Sequence, residues 1–346
     1  MKILDTTIRD GSYAVDFKFS CRDVQDLVSK SQRIGIEYIE IGHGQGLNAS
    51  SYEHGFALQT DTEYMDAARE VTDKSKLGFF CIPGIARVED IDTAKKHKMD
   101  FIRIGVTVRE YEKAKPYIDR CKNDGLEVFV NFMKTYSSSP REFAEASAEL
   151  YKSGVGCVYI VDSAGSMSAS DIGEYISETH ERSDIGIGFH GHNNLGLAVD
   201  NTLYCVKKGI EFIDCSFQGL GRSLGNASLE QVVMVMEQRG YHTGFDIPRV
   251  LEYGYAGLRN IVREKLVNPL DYMCGYAGFH SSFLKEIYKC CNVKKVDPLR
   301  LIMAYSEENK MTMDYERLCE VADSLPEDFE DNPYGFGEYF SARYRE

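Results

Sequence analysis

The chain carries no excess of basic charge, no long apolar run and no cysteines at metal-site or disulfide-frame spacing. Its 54 acidic residues against 40 lysines and arginines give a formal net charge of −14. Nucleic acid and anionic membrane surfaces both require a basic face, so neither is expected as a partner. No apolar stretch approaches the roughly 18 residues that span a bilayer. The opening "MKILDTTIRDGS" enters a strand pattern directly, without the charged and apolar regions of a leader. The ten cysteines are scattered and form no CxxC, which suits buried thiols in a reducing cytoplasm. With 43% hydrophobic and 27% charged residues, the composition is that of a soluble globular protein.

Eight short apolar runs punctuate the first 220 residues: "KILDTTIRD", "YIEIGHG", "LGFFCIPG", "FIRIGVTV", "LEVFVNFMKTY", "CVYIVDSAG", "IGIGFHGHNN" and "FIDCSFQGLG". They are rich in β-branched and aromatic residues and mostly lack polar alternation, as expected for strands buried on both faces of a parallel sheet. Amphipathic stretches separate them. In "SCRDVQDLVSKSQRIG", Val24, Leu27, Val28 and Ile34 share a face, Ser20 is the N-cap and Gly35 closes the helix. The same helix–glycine–strand cadence returns at Gly125, Gly154 and Gly209. Eight such units predict an α/β fold, a (β/α)8 TIM barrel, over residues 1–245. The alternative is an open doubly wound sheet, which typically follows its first strand with a glycine-rich dinucleotide loop; "RDGSYA" is not one. From about Asp246 the pattern turns helical, and residues 246–346 read as a helical C-terminal extension with an irregular acidic tail.

The polar groups of the predicted barrel gather at one end of its strands, where such barrels keep their working residues. Arg9 and Asp10 end strand one, Glu40 and His43 strand two, Asp162 and Ser163 strand six, and His190 and His192 strand seven; Asn226 lies in "GLGRSLGNAS" after strand eight. Positions i and i+2 of a strand face the same way, so both imidazoles are expected to enter one cavity. Asp10 is expected to join them, because only strand eight separates strands one and seven. Two imidazoles and a carboxylate with open positions suit divalent Mn, Mg, Co or Zn. Each element also has a plainer reading: a structural HxH, a local Arg–Asp ion pair, a loop-capping Asp162, glycines that only turn the chain. Metal-dependent amidohydrolases place HxH on the first strand, whereas here it falls on the seventh.

With these residues in hand, the chain resembles the 4-hydroxy-2-oxovalerate aldolases, pyruvate-type metal-dependent aldolases of the 3-hydroxy-3-methylglutaryl-CoA lyase-like barrel superfamily. The likeness runs through "TIRDG", "EIGHGQGLNASSYEHGF", "FIRIG", "YIVDSAGSMS", "GFHGHNNLGLAV", "GLGRSLGNASLE" and "GYAGFHSSFL". It implies Asp10, His190 and His192 as metal ligands, with Asn226, a ligand in the CoA-using relatives, as a fourth candidate. Substrate contacts are implied at Arg9, Ser163 and His190. The implied metal is a divalent cation, Mn2+ first, acting as Lewis acid on the keto group of a 2-oxo acid. Loss of the 4-hydroxyl proton then breaks the C3–C4 bond, releases an aldehyde and leaves a pyruvate enolate at the metal. No Schiff-base lysine is required.

The chain departs from the family at two positions. The family's proton-abstracting histidine follows "RDG" by two residues; here that residue is Tyr13, a phenol with reference pKa near 10 and so a poor base at neutral pH. The family's tyrosine in "YAGxYSSF" is here His280. An exchange of roles, with His280 as base and Tyr13 as donor, is the expectation. The plainer reading is a different substrate or reaction direction, with His280 filling space. The resemblance also implies an acylating aldehyde dehydrogenase partner and a homo-oligomer. Two other functions stand beside the aldolase: a CoA-dependent Claisen condensation or lyase enzyme of the same superfamily, and a non-catalytic barrel scaffold.

Overall fold

Each of the eight apolar runs forms a parallel strand: β1 Lys2–Asp5, β2 Tyr38–Ile41, β3 Lys76–Cys81, β4 Phe101–Val106, β5 Glu127–Phe132, β6 Cys157–Asp162, β7 Gly186–Gly191 and β8 Phe212–Cys215. In the computed structural model, which describes residues 1–262, 266–310, 312–326 and 336–340, they pair in chain order and close on themselves, β8 against β1. The expected (β/α)8 barrel is therefore the observed one, with a helix following every strand. The helices begin where side chains can cap them. Ser20 accepts the Asp23 N–H while Asp23 accepts the Ser20 N–H, and Thr60/Glu63, Ser139/Glu142 and Ser168/Asp171 repeat this reciprocal box. The first helix, Cys21–Arg33, ends as its sequence predicts. Gly35 takes φ +96°, a region costly for any residue with a Cβ, and lets the Ile36 N–H reach the Ser31 carbonyl at 3.0 Å.

The barrel is plugged low down by rings. Leu4, Tyr38, Phe101, Phe129, Tyr159 and Phe212 form one buried cluster, and the Phe129 ring lies 5.2 to 6.4 Å from those of Tyr38, Phe101, Tyr159 and Phe212. Space for them comes from two glycines, Gly78 on β3 beside β4 and Gly188 on β7 beside β6. A Cβ on Gly78 would stand 2.3 Å from the Phe101 ring, and one on Gly188 would stand 2.5 Å from that of Tyr159. Apolar filling thus occupies the N-terminal half of the barrel, and polar chemistry is confined to the other end.

The chain divides into two compact units, the first holding Met1–Val232 with a short segment beginning at Asn260, the second holding the remainder. The second unit is helical: Ile247–Leu258, Pro269–Ala277, Leu284–Lys294, Pro298–Glu308 and Tyr315–Asp323. Three of these start from an Asx cap followed by proline, namely Asp246 with Pro248, Asn268 with Pro269 and Asp297 with Pro298. The helix Pro269–Ala277 is additional to those expected, although its buried Leu270, Met273, Cys274 and Ala277 recur at helical spacing. Most of the acidic tail lies outside the described residues.

Phe129→Ala removes the ring that touches four others in the plug. It is expected to lower stability by about 3–5 kcal/mol, seen as a reduced urea midpoint, with the circular-dichroism spectrum of the native state retained.

Candidate metal centre

Strand β1 stops earlier than its apolar run implies. The Asp5 carboxylate accepts both the Thr7 N–H (2.8 Å) and the Thr7 hydroxyl (2.5 Å), an Asx-type turn that competes with the sheet ladder. The chain then bends, the Asp10 N–H donating to the Thr6 carbonyl at 2.9 Å, into a short helical turn over Asp10–Val15. Arg9 and Asp10 therefore sit in the turn after β1 rather than at the strand's end. His190 is within β7, and His192, one residue beyond it, forms a backbone bridge with Asn226. One ligand atom from each of Asp10, His190 and His192 lies within 4.8 Å of the others, and all three residues are buried. The two imidazoles stand at 89° with centroids 5.1 Å apart.

Their protonation suits a cation. The Nδ1 of His190 is 2.8 Å from Asp214 Oδ2, so the carboxylate holds the proton there and leaves Nε2 with its lone pair. Burial alone would raise the Asp10 carboxyl, but the Arg9 guanidinium beside it overrules burial and holds the group ionised, below the usual carboxylate range. Burial lowers His192 and keeps it neutral despite Asp10 nearby. Two buried atoms at this spot, His192 Nδ1 and Asn226 Oδ1, have no hydrogen-bond partner among the described residues; the nearest carboxylate oxygen to His192 Nδ1 is Asp10 Oδ2 at 3.9 Å, beyond hydrogen-bond reach. Unpaired buried acceptors beside an ionised carboxylate are what a divalent cation with nitrogen and oxygen preference would satisfy.

Asp10, His190 and His192 open on a cavity of about 260 Å³ that is also bordered by Arg9, Tyr13, Lys134, Ser163 and Arg222. Arg9 is fixed from three directions. Its Nε donates to Glu40 Oε2 (2.7 Å), its Nη1 to Asp10 Oδ1 (2.6 Å), and its guanidinium lies 4.9 Å from the Phe80 ring centroid. The Tyr13 ring fits because Gly44 has no Cβ, which would stand 2.4 Å from it. Burial raises the Tyr13 phenol, with Asp10 adding to the effect, so it is protonated at neutral pH. Ser163 Oγ accepts the Lys134 N–H at 2.9 Å. His43 does not border the cavity. It stacks on Phe17 at 4.0 Å, and its Nδ1 accepts the Gln45 N–H at 3.1 Å; burial pushes its pKa down to about 4. His280 lies in the second unit, exposed, where its Nδ1 accepts the Ser282 N–H at 3.2 Å.

Sequence reasoning missed the layer beneath. Arg103, fully buried on β4, donates to Asp214 Oδ2 (2.6 Å), Glu40 Oε2 (3.1 Å) and Asn131 Oδ1 (3.1 Å), and lies 4.2 Å from the Tyr159 ring. Asp214 thus joins Arg103 to His190, and Glu40 joins Arg103 to Arg9. Burial would weaken the guanidinium's hold on its proton, but Asp214 and Glu40 more than reverse this. The signal was there: a lone charge inside each of two apolar runs, "FIRIG" and "FIDC", which a buried strand tolerates only if the charge is paired. Asp214→Asn removes the carboxylate that orients His190 and is expected to weaken divalent-metal affinity roughly ten- to a hundred-fold. Calorimetric titration of the metal-free protein with Mn2+ measures it.

Three comparisons bear on this arrangement. The HMGL-like family signature matches residues 1–255. An oxaloacetate decarboxylase from Mycobacterium tuberculosis is 36% identical over 81% of this chain and 83% of its own. A 4-hydroxy-2-oxovalerate aldolase from Pelotomaculum thermopropionicum is 33% identical over 88% and 89%, and one from Moorella thermoacetica is 33% identical over 93% and 96%. Among solved structures, the HMG-CoA lyase from Brucella melitensis shares the fold with a TM-score of 0.64 at 20% identity, covering 76% of this chain and 99% of that one. The carboxyl transferase domain of Rhizobium etli pyruvate carboxylase does so at 0.67 and 15% identity, covering 94% and 61%. A closed eight-stranded barrel with an acid and two imidazoles at its polar end, matched over most of its length by these relatives, places the chain in the HMGL-like family.

Proposed function

We propose that the chain is a divalent-metal-dependent carbon–carbon lyase that cleaves 4-hydroxy-2-oxo acids to pyruvate and an aldehyde, or joins the two in reverse. The observation that carries this is the meeting of Asp10, His190 and His192 beside Arg9 at the mouth of the barrel. Relatives named 4-hydroxy-2-oxovalerate aldolase, similar along most of their length, support it. Asp10, His190 and His192 would hold the cation, with Asn226 as the fourth candidate and Mn2+ as the metal. When bound, the cation supplies Lewis acidity toward the substrate's keto group.

The chain's own residues do the rest. Arg9, already fixed by Glu40 and Asp10, presents its charge to the keto oxygen with no reorganisation, where negative charge grows as the C3–C4 bond breaks. Ser163 faces the substrate carboxylate, and His190 borders the substrate as well as the metal. The 4-hydroxyl proton leaves to a base, the C3–C4 electron pair passes to the enolate, the aldehyde departs and a proton returns to carbon three. His280 is assigned the base and Tyr13 the donor.

A second reading is favoured by Tyr13 together with the Mycobacterium tuberculosis relative: decarboxylation of a 2-oxo acid, in which carbon dioxide leaves without any hydroxyl being deprotonated. We also assign a cytoplasmic location, to which ten free thiols are suited, a homo-oligomeric state, and an acylating aldehyde dehydrogenase as partner; among the described residues no helix is long and apolar enough to cross a membrane.

Dialysis against a chelator is expected to abolish pyruvate release from 4-hydroxy-2-oxopentanoate, and Mn2+ to restore it; full activity after stripping would overturn the reading. Arg9→Met should lower kcat on the order of 10²–10³-fold. In the same assay His280→Ala should be more damaging than Tyr13→Phe, and the reverse order would refute the exchange of roles.

A further inference from the structure

Three cationic side chains border the cavity, Arg9, Lys134 and Arg222, against the single carboxylate of Asp10. Arg9 is committed to Glu40 and Asp10. Lys134 and Arg222 are exposed, and neither has an ion-pair partner among the described residues. In a chain where acids outnumber bases by 54 to 40, two unpaired cations facing one cavity are a feature that packing alone does not explain.

They stand on different sides of the ring. Lys134 follows β5, and its N–H is bonded to Ser163 in the loop after β6. Arg222 lies in the loop after β8. Its N–H donates to Asp10 Oδ2 at 3.2 Å, and its guanidinium is 5.5 Å from the Tyr13 ring centroid, in the range of a cation–π contact. In a closed ring of eight strands taken in chain order, β5 lies across from β1, and β8 adjoins β1. One cation therefore stands with Ser163 and the other with Asp10 and Tyr13.

The single carboxylate of a simple 2-oxo acid satisfies the first pole and leaves the second without an anion. We propose that the substrate carries a second carboxylate beyond carbon three and that Arg222 binds it, so that the site selects 2-oxo dicarboxylates. This rests on the metal-dependent 2-oxo acid lyase reading above. Arg222 is suited to the task because its planar fork matches a carboxylate bidentately and the Tyr13 ring gives it a surface to lie against. The chemistry balances with such a substrate. In a 4-hydroxy-2-oxo dicarboxylate, the hydroxyl proton goes to the base, the C3–C4 pair to the enolate, and the fragment bearing the second carboxylate leaves as an aldehyde acid while carbon three regains a proton. In oxaloacetate, the second carboxylate itself leaves as carbon dioxide and a proton from Tyr13, replaced from water, completes pyruvate.

The test compares kcat/KM of the metal-loaded protein on 4-hydroxy-2-oxoglutarate and oxaloacetate with that on the uncharged-tail 4-hydroxy-2-oxopentanoate, correcting for metal alone. Deuterium exchange at carbon three of pyruvate is followed in parallel. At least one dicarboxylate is expected to be preferred by roughly ten-fold or more, the range for a hydrogen-bonded charge. Arg222→Met should erase that preference, and Arg222→Lys should recover part of it, a change in selectivity that a merely structural role would not produce. A parent enzyme that prefers the uncharged tail, or a variant that loses all three substrates equally, overturns the proposal. A parent enzyme that acts on none of them and exchanges no pyruvate protons overturns the lyase reading instead.

Discussion

Burying a guanidinium with no access to water is expensive, and Arg103 is tolerated inside β4 only because Glu40 and Asp214 face it. Each of those carboxylates has a second duty. Glu40 fixes Arg9, and Asp214 fixes the tautomer of His190. One cation thus ties β2, β4 and β8 together from below and orients the polar groups of the turn after β1 and of β7 above it. The positions of the candidate metal ligands are inherited from this arrangement, which explains why a charge in the middle of a strand is kept in a region otherwise filled by rings.

The barrel is layered by height. The aromatic plug excludes water from the N-terminal half, so the ion network rests on an apolar floor where charges act over a lower dielectric than in solvent. Above the network comes the cavity, bordered by ionised Asp10, the two imidazoles and a rigid Arg9. Stability therefore comes mainly from the lower layer and chemistry from the upper one, with Arg103 between them.

The side of the cavity near β8 and β1 has a character of its own. Tyr13 takes the place of a histidine, Gly44 makes room for its ring, and Arg222 reaches over it.

The eight strands, the caps at Ser20 and Gly35, and the shared orientation of His190 and His192 were legible in the sequence because each depends on local geometry: strand alternation, a hydroxyl three residues from an N–H, a backbone angle that favours glycine. The early end of β1 was legible only in hindsight, in the hydrogen bonding of Asp5 to Thr7. The helix Pro269–Ala277 went unread although its apolar residues recur at helical spacing, and the partner of Arg103 could not be read at all, since Asp214 is 111 residues away. A sequence shows that a charge lies inside an apolar run; only closure of the ring decides which opposite charge meets it. The same holds for Asp10, which meets two imidazoles from far along the chain only once β8 has closed the ring against β1.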